Sequence, residues 1–253
     1  MDLSWGPKNH RLETTLERAC RHWSINQKDL PGIEEELIRE VQRKAFGLGI
    51  PLPNKTDNMW WISLMQHYGA PTRLLDFTYS PYVAAYFALE KLLVNDPDRE
   101  SAAIWAIQHA LTMTGKKQIA SGEKLENIEK SKIGSLNFIF DRKQPQKPSI
   151  MQVNSFYLHD RIIVQQGIFL CATDLSRSFM ENFESVPNSK DKTLIKRFIL
   201  PGQALKNAMA ELHKMNITRE SLFPGIAGLA ESIAYRLPYF SDLATYRKDL
   251  LGS

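Results

Sequence analysis

The stretch from Gln66 to Thr78, QHYGAPTRLLDFT, constrains this 253-residue chain more than any other. It sets an imidazole, a phenol, a guanidinium, a carboxylate and two hydroxyls within thirteen residues, then runs into an apolar segment around Val83 to Leu89. Gly69 supplies backbone freedom, and Pro71 biases Ala70 away from helix, so a shaped turn is predicted there. Thr72 to Phe77 alternates as a short strand. Thr78 or Ser80 is placed to cap a following helix whose first turn holds Pro81. Turn, strand and capped helix in succession direct hydroxyls and backbone N–H groups toward one spot.

The rest of the chain sets the frame for that motif. A length of 253 residues buries a core without disulfides. Cys20 and Cys171 stand far apart with no metal-ligand spacing, which argues against a disulfide scaffold or a zinc site and for a reducing compartment. No apolar run approaches the roughly 20 residues of a membrane span. The start of the chain has no basic segment followed by an apolar one, so the cytoplasm is the expected location and no membrane contact is expected. The formal charge of +4 is spread along the chain and permits a phosphate-bearing partner. Gly-rich phosphate loops, HExxH, GxSxG and Cys-His nucleophile patterns are absent, which removes the commonest enzyme classes.

Taken in order, Thr14 or Thr15 is predicted to cap a helix running through Leu16, Ala19 and Trp23. His10 and Arg11 then fall on the preceding loop, as anion contacts or as a solvent-facing pair. Ile33 to Phe46 reads as an amphipathic helix with acids first and bases last, its charge run forming the wet face. Asn58 to Gln66 is another helical pattern that delivers the chain to the motif. Ala102 to Ile107 suits a central strand, and residues 111–137 read as a helical excursion or an insertion. A Pro-containing turn is expected at Gln144 to Pro148, and a strand or its approach at Ser155 to Leu158. Arg161 to Cys171 reads as two strand segments meeting at Gln165-Gln166-Gly167, where a bulge re-aims a side chain or the chain simply kinks. A strand at Leu194 to Leu200, a helix at Gln203 to Met215 with Leu205, Met209 and Leu212 inward, and a capped unit from Thr218 complete the pattern. No internal repeat or linker divides the chain. The expectation is a single α+β domain with a central mixed or antiparallel sheet flanked by several helices.

These residues carry a resemblance. Gln66 to Thr78, with Pro81, Val83, Ala84 and Phe87, resembles the central signature of FRG domains. Arg161 to Phe169 resembles that family's later R-x3-QQG-x-F element, and Ile217 to Ala230 its closing I-T-x3-L-F-P segment. The Leu-x-x-x-Leu-x-Arg pattern near the family's start is present as Leu12, Leu16 and Arg18, while Ser4-Trp5-Gly6 stands where Phe-Arg-Gly gives the family its name. The resemblance implies a bacterial or phage protein, in a defence or toxin-like setting. A remoter similarity, in the order of the polar elements, is to ADP-ribosyltransferases. There an arginine holds an NAD phosphate, hydroxyls orient the ribose, and a glutamate steadies the ribosyl cation. Mapped by order, Thr78 takes the hydroxyl position and Gln165 or Gln166 the glutamate position. An amide hydrogen-bonds a ribose but does not neutralise a cation, so either Asp76 and Arg73 carry the chemistry or the domain binds a nucleotide without turning it over.

Arg73 and Asp76, three apart, read either as reactive groups or as an internal pair that fixes the loop. His67 and Tyr68 read either as proton-transfer groups or as an aromatic pair anchoring the turn. The candidate catalytic residues are His67, Arg73, Asp76, Thr78 and Gln166. The candidate ligand-binding residues are His10, Arg11, Tyr68, Thr72 and Gln165. The ligand implied is NAD or a related nucleotide, with no metal, and the target a protein or a nucleic acid. The first reading is NAD cleavage or ADP-ribosyl transfer, and the alternative is a module that recognises a nucleotide, nucleic acid or protein.

Overall fold

A computed structural model describes residues 12–90, 101–120, 139–140, 146–153 and 160–236. Ten helices and five strands fall within them, and the α+β expectation holds. The strands are divided between a three-stranded sheet and a two-stranded sheet rather than gathered into one. None of the described helices is long and apolar enough to cross a membrane. Cys20 and Cys171 are both free and buried.

The chain divides into two compact units, each assembled from separated segments: residues 1–77, 103–157 and 168–199 form the first, and 78–102, 158–167 and 200–253 the second. In the first unit, α1 (Thr15–His22) starts at Thr14 through a capping box with Glu17, as the Thr-x-x-Glu spacing allows. Helix α2 (Leu30–Ala45) has a proline in its first turn and closes in the short 3₁₀ turn Phe46–Leu48. Helix α3 (Asn58–His67) is capped by Asp57, whose Oδ1 accepts from Trp60 N at 3.1 Å. Strand β1 (Leu74–Thr78) lies beside β4 (Gly167–Ala172), which pairs antiparallel with β3 (Ile150–Val153) in the register Ile150 to Ala172 and Val153 to Phe169. Strand β2 (Ser101–Ile107) pairs with β5 (Ile195–Pro201). Helix α5 (His109–Ala120) packs on β3. The core gathers Leu12, Leu75, Leu111, Ile150, Leu170 and Phe179, with Trp105 and Ile195 against its edge.

The second unit is mainly helical. Helix α4 (Pro81–Glu90) is apolar almost all round and buries Val83, Phe87 and Leu89, as a helix packed on several sides must. It packs on α8 (Leu205–Lys214), which turns Leu205, Met209 and Leu212 inward as expected. Thr218 caps the short α9 (Arg219–Leu222), which packs on α10 (Ile226–Arg236).

The reading of Arg161 to Val164 as a strand is corrected. Residues Asp160–Val164 form helix α6, and the chain reverses at Gln166, whose φ of 48° lies in the left-handed region, before β4 begins. Ile163 and Val164 are exposed, so their branched side chains do not pack on a sheet face, the setting that gives such residues their strand preference. Helix α7 (Phe179–Glu184), opened by a capping box between Ser178 and Glu181, is an element that the expectations did not contain. His10, Arg11, Trp5, most of the 111–137 excursion and Ser155 to Leu158 lie outside the described residues, as do residues 144 and 145 of the Pro-containing turn.

The contact between α9 and α10 leads to a direct prediction. A Cβ at Gly228 would stand 1.8 Å from Phe223 O and 2.7 Å from Phe223 Cβ. A backbone carbonyl cannot swing aside as a side chain tip does, so Gly228→Ala forces the two helices apart. The expected loss is about 1–3 kcal/mol, read from denaturant unfolding. A variant as stable as the parent would show that the close approach is not kept in solution.

Candidate functional site

The motif begins where α3 ends. Tyr68 closes the helix, Gly69 adopts φ 82°, and Ala70 N donates back to Met65 O at 2.9 Å. Open space surrounds the Cα of Gly69, so the glycine is required by its dihedral and not by crowding. His67 is half-buried and meets Tyr68 edge to face at 4.9 Å between ring centres, with Tyr68 otherwise exposed.

Arg73 and Asp76 do not pair with each other. Arg73 lies in the core at 2% exposure, and its Nε donates to both carboxylate oxygens of Glu34, at 2.9 and 3.0 Å. Its Nη2 is bonded to Glu34 as well. Nη1 donates to Ala172 O at 3.3 Å, and the guanidinium lies 4.7 Å from the centre of the Phe140 ring. Glu34, also 2% exposed, sits on the inward side of α2, which corrects the assignment of its whole charge run to the wet face. The two charges are thus removed from water together, and the fork of the guanidinium is matched to one carboxylate and the end of β4. Beside them Cys171 is fully buried, and burial pushes its thiol up to about 12, so it is not a nucleophile at neutral pH.

Asp76 takes a different partner. Gln66 Nε2 donates to Asp76 Oδ2 at 2.9 Å, while Gln66 Oε1 accepts from the Thr72 hydroxyl at 2.5 Å. Thr72 Oγ1 also accepts from Leu74 N at 3.2 Å, and Thr72 N donates to Thr15 Oγ1 at 3.0 Å. Gln66 is therefore the hinge of a side-chain network running from Asp76 to α1. Its amide offers one donor group and one acceptor, and the network uses both.

In the second unit, Thr78 Oγ1 donates to Gln165 O at 2.7 Å and accepts from Ser80 N at 3.0 Å. Ser80 Oγ accepts from Val83 N at 3.3 Å, so the serine is the cap of α4 and the threonine braces it. Tyr79 N donates to Gln166 O at 3.1 Å. Gln165 Nε2 donates to Leu222 O at 2.8 Å, and the Gln166 side chain is exposed. The glutamine pair and the Thr78 hydroxyl thus meet, largely through backbone carbonyls. Close by, the guanidinia of Arg161 and Arg219 lie 4.4 and 3.7 Å from the centre of the Phe223 ring, and Arg219 Nη1 donates to Glu90 Oε1 at 2.7 Å.

The first unit also holds an open cleft of about 1410 Å³ with the Arg73–Glu34 pair among its lining groups. Arg39 in its wall is bonded to Glu35 and Glu36. Lys28, Arg43 and Lys55 line the same cleft and form no ion pair among the described residues. Phe46, 87% exposed, and Phe140 supply aromatic surface. Glu34 and the cleft cations are the residues that sequence reasoning missed. The only local signal for Glu34 was its place on the Leu30, Ile38 side of α2, where an unpaired acid would be costly.

No curated protein and no solved structure matches this chain. The FRG domain model matches residues 6–97, a span that includes the whole Gln66 to Thr78 motif and α4 and stops short of the two later elements that resemble the family. With that signature matched in order and folded as turn, strand and capped helix, residues 6–97 of the chain carry an FRG domain.

Proposed function

We propose that this FRG domain is a binding module for a nucleotide or NAD-like ligand, taken up in the cleft above the Arg73–Glu34 pair. The observation that supports this reading is where the motif's polar groups go: Arg73 to Glu34, Thr72 and Asp76 to Gln66, and Thr78 to Gln165 O. Groups bonded in this way hold a shape. The cleft wall, in contrast, offers Lys28, Arg43 and Lys55 for phosphate oxygens and the Phe46 ring for a base. The candidate residues of the motif act in this reading as the scaffold of the cleft.

NAD cleavage or ADP-ribosyl transfer is the second reading, and one observation favours it. Glu35, Glu40 and Asp174 line the same cleft, and a carboxylate there is suited to stabilise positive charge developing on a ribose as nicotinamide departs. One experiment separates the two. The protein is melted with and without NAD, ATP and other nucleotides, and incubated with NAD while nicotinamide is followed by chromatography. Binding alone is expected: a nucleotide at 100 times its Kd adds about 2.7 kcal/mol of stability, with no nicotinamide formed. Nicotinamide release would replace the binding reading by the enzymatic one. No thermal response to any nucleotide, and no release, would reject both.

A further inference from the structure

The turn and strand from Lys190 to Ile199 form the most strongly basic exposed surface among the described residues that the cleft does not use. Lys190, Lys192, Lys196 and Arg197 occur within eight residues, all four exposed, and none pairs with a carboxylate among the described residues. Asp191, the one acid between them, is committed to the turn itself. Its Oδ1 accepts from Thr193 N at 2.8 Å and from the Thr193 hydroxyl at 2.7 Å, bonds that hold its carboxyl below the usual range. The turn and strand together therefore carry four cations against one anion.

The turn is built, and not merely solvated. Asp191 N donates to Asn188 O, and both Leu194 N and Ile195 N donate to Asp191 O, at 3.0, 3.0 and 3.1 Å. Asn188 holds a left-handed φ of 64°. Gln108 ties the turn to the end of β2 through Nε2 to Thr193 O at 2.9 Å and N to Leu194 O at 2.8 Å. Strand β5 continues from it with Lys196, Arg197, Phe198 and Ile199 all exposed. Successive residues of a strand face opposite ways, so Phe198 shares its side with Lys196, while Arg197 lies over the Trp105 ring of β2 at 5.6 Å. The Phe198 ring is 50% exposed, on the side of the strand that carries Lys196 and next to a fixed basic turn.

We infer that this face of the β2–β5 sheet binds single-stranded nucleic acid, with Phe198 as a stacking platform and Lys190, Lys192 and Lys196 along the phosphates. The chemistry fits at both ends. A ring on an open sheet accepts any unpaired base, and cations spaced along a turn and strand track a backbone that is charged at every residue. An acidic peptide would satisfy the cations and leave the exposed ring unexplained, so nucleic acid is the occupant that uses the whole patch. The site lies outside the cleft, and its occupancy does not depend on the nucleotide reading given above.

The test is fluorescence anisotropy of a labelled single-stranded dodecamer, titrated with the full chain over a range of salt concentrations. Binding is expected, with log Kobs falling against log salt at a slope of about −2 if the three lysines contact phosphates. The double variant Lys192→Glu and Lys196→Glu is expected to lose about tenfold or more in affinity and to flatten that slope. Phe198→Ala is expected to lose about tenfold while keeping the slope, because stacking releases no counterions. All three positions are exposed, and thermal melts check that the variants stay folded. No binding by the parent chain, or affinity unchanged in the folded charge-reversed variant, overturns the inference. So does binding of poly-glutamate, lost in the same variant, without binding of the oligonucleotide, which would assign the patch to an acidic protein.

Discussion

Arg73→Met is expected to lower the unfolding free energy by about 3–5 kcal/mol, the largest single effect in the chain, because it leaves the Glu34 carboxylate buried with no cation. Both side chains are almost fully removed from water, and Glu34 takes its three guanidinium contacts from Arg73 alone. Glu34→Met is expected to cost a similar amount, since Arg73 would lose its carboxylate and keep the carbonyls of Ala172 and Ile139. The double variant is the informative one. Two methionines can fill the volume without a stranded charge, and a buried pair replaced as a pair is commonly close to neutral. Recovery in the double variant, measured by denaturant unfolding in a double-mutant cycle, is the expected outcome. Three variants equally destabilised would mean that the loss is in packing against Phe140 and β4, not in charge. Nucleotide binding by a folded double variant would further show that the pair shapes the cleft without touching the ligand.

Glu17→Ala is expected to be the second most damaging change, at about 2–4 kcal/mol, because one carboxylate serves two helix starts. Its Oε2 accepts from Thr14 N at 2.7 Å within the capping box of α1, and its Oε1 accepts from Phe179 N at 2.5 Å, at the first residue of α7. Removing it leaves two buried N–H groups without an acceptor. Glu17→Gln retains one acceptor oxygen and turns an amide NH₂ toward the other N–H, so a loss about half as large is expected. Burial raises the carboxyl above its usual value, and the two backbone bonds only partly offset this. A folded-state value above the unfolded one means that the native protein holds the proton more tightly. The contribution is therefore full below the unfolded value and declines as pH rises through the folded one. The stability difference between the parent and Glu17→Gln, measured by unfolding from pH 4 to 7, should decline as pH rises. A difference that grew with pH would place the backbone bonds above burial as the dominant influence.

Much of the local structure was legible in the residues themselves. Thr14 with Glu17, Ser80 before Pro81 and Thr218 each announce a helix start through hydrogen bonds that close within three residues, and each starts a helix in the fold. The alternation around Leu74 and that around Phe198 become β1 and β5. The motif is read correctly as turn, strand and capped helix. Where local preference and packing disagreed, packing decided: Ile162, Ile163 and Val164 favour a strand, yet they lie in α6, ahead of a left-handed turn at Gln166.

The candidate site was legible as a list of polar residues and not as an arrangement. Arg73 and Asp76 invite pairing because they are three apart, but Arg73 precedes β1 and turns into the core, while Asp76 lies within the strand. Arg73 reaches Glu34 across 39 residues, and Asp76 reaches Gln66 on α3. The sequence by itself determined the family signature, the helix starts and the strand alternation, because capping and periodicity act over a few residues. Only the tertiary structure decided which charges are buried together, which hydroxyls are committed to the scaffold and which cations stay open. Those outcomes depend on which face of α2 or β1 turns inward, and that is settled by packing between segments far apart in the chain.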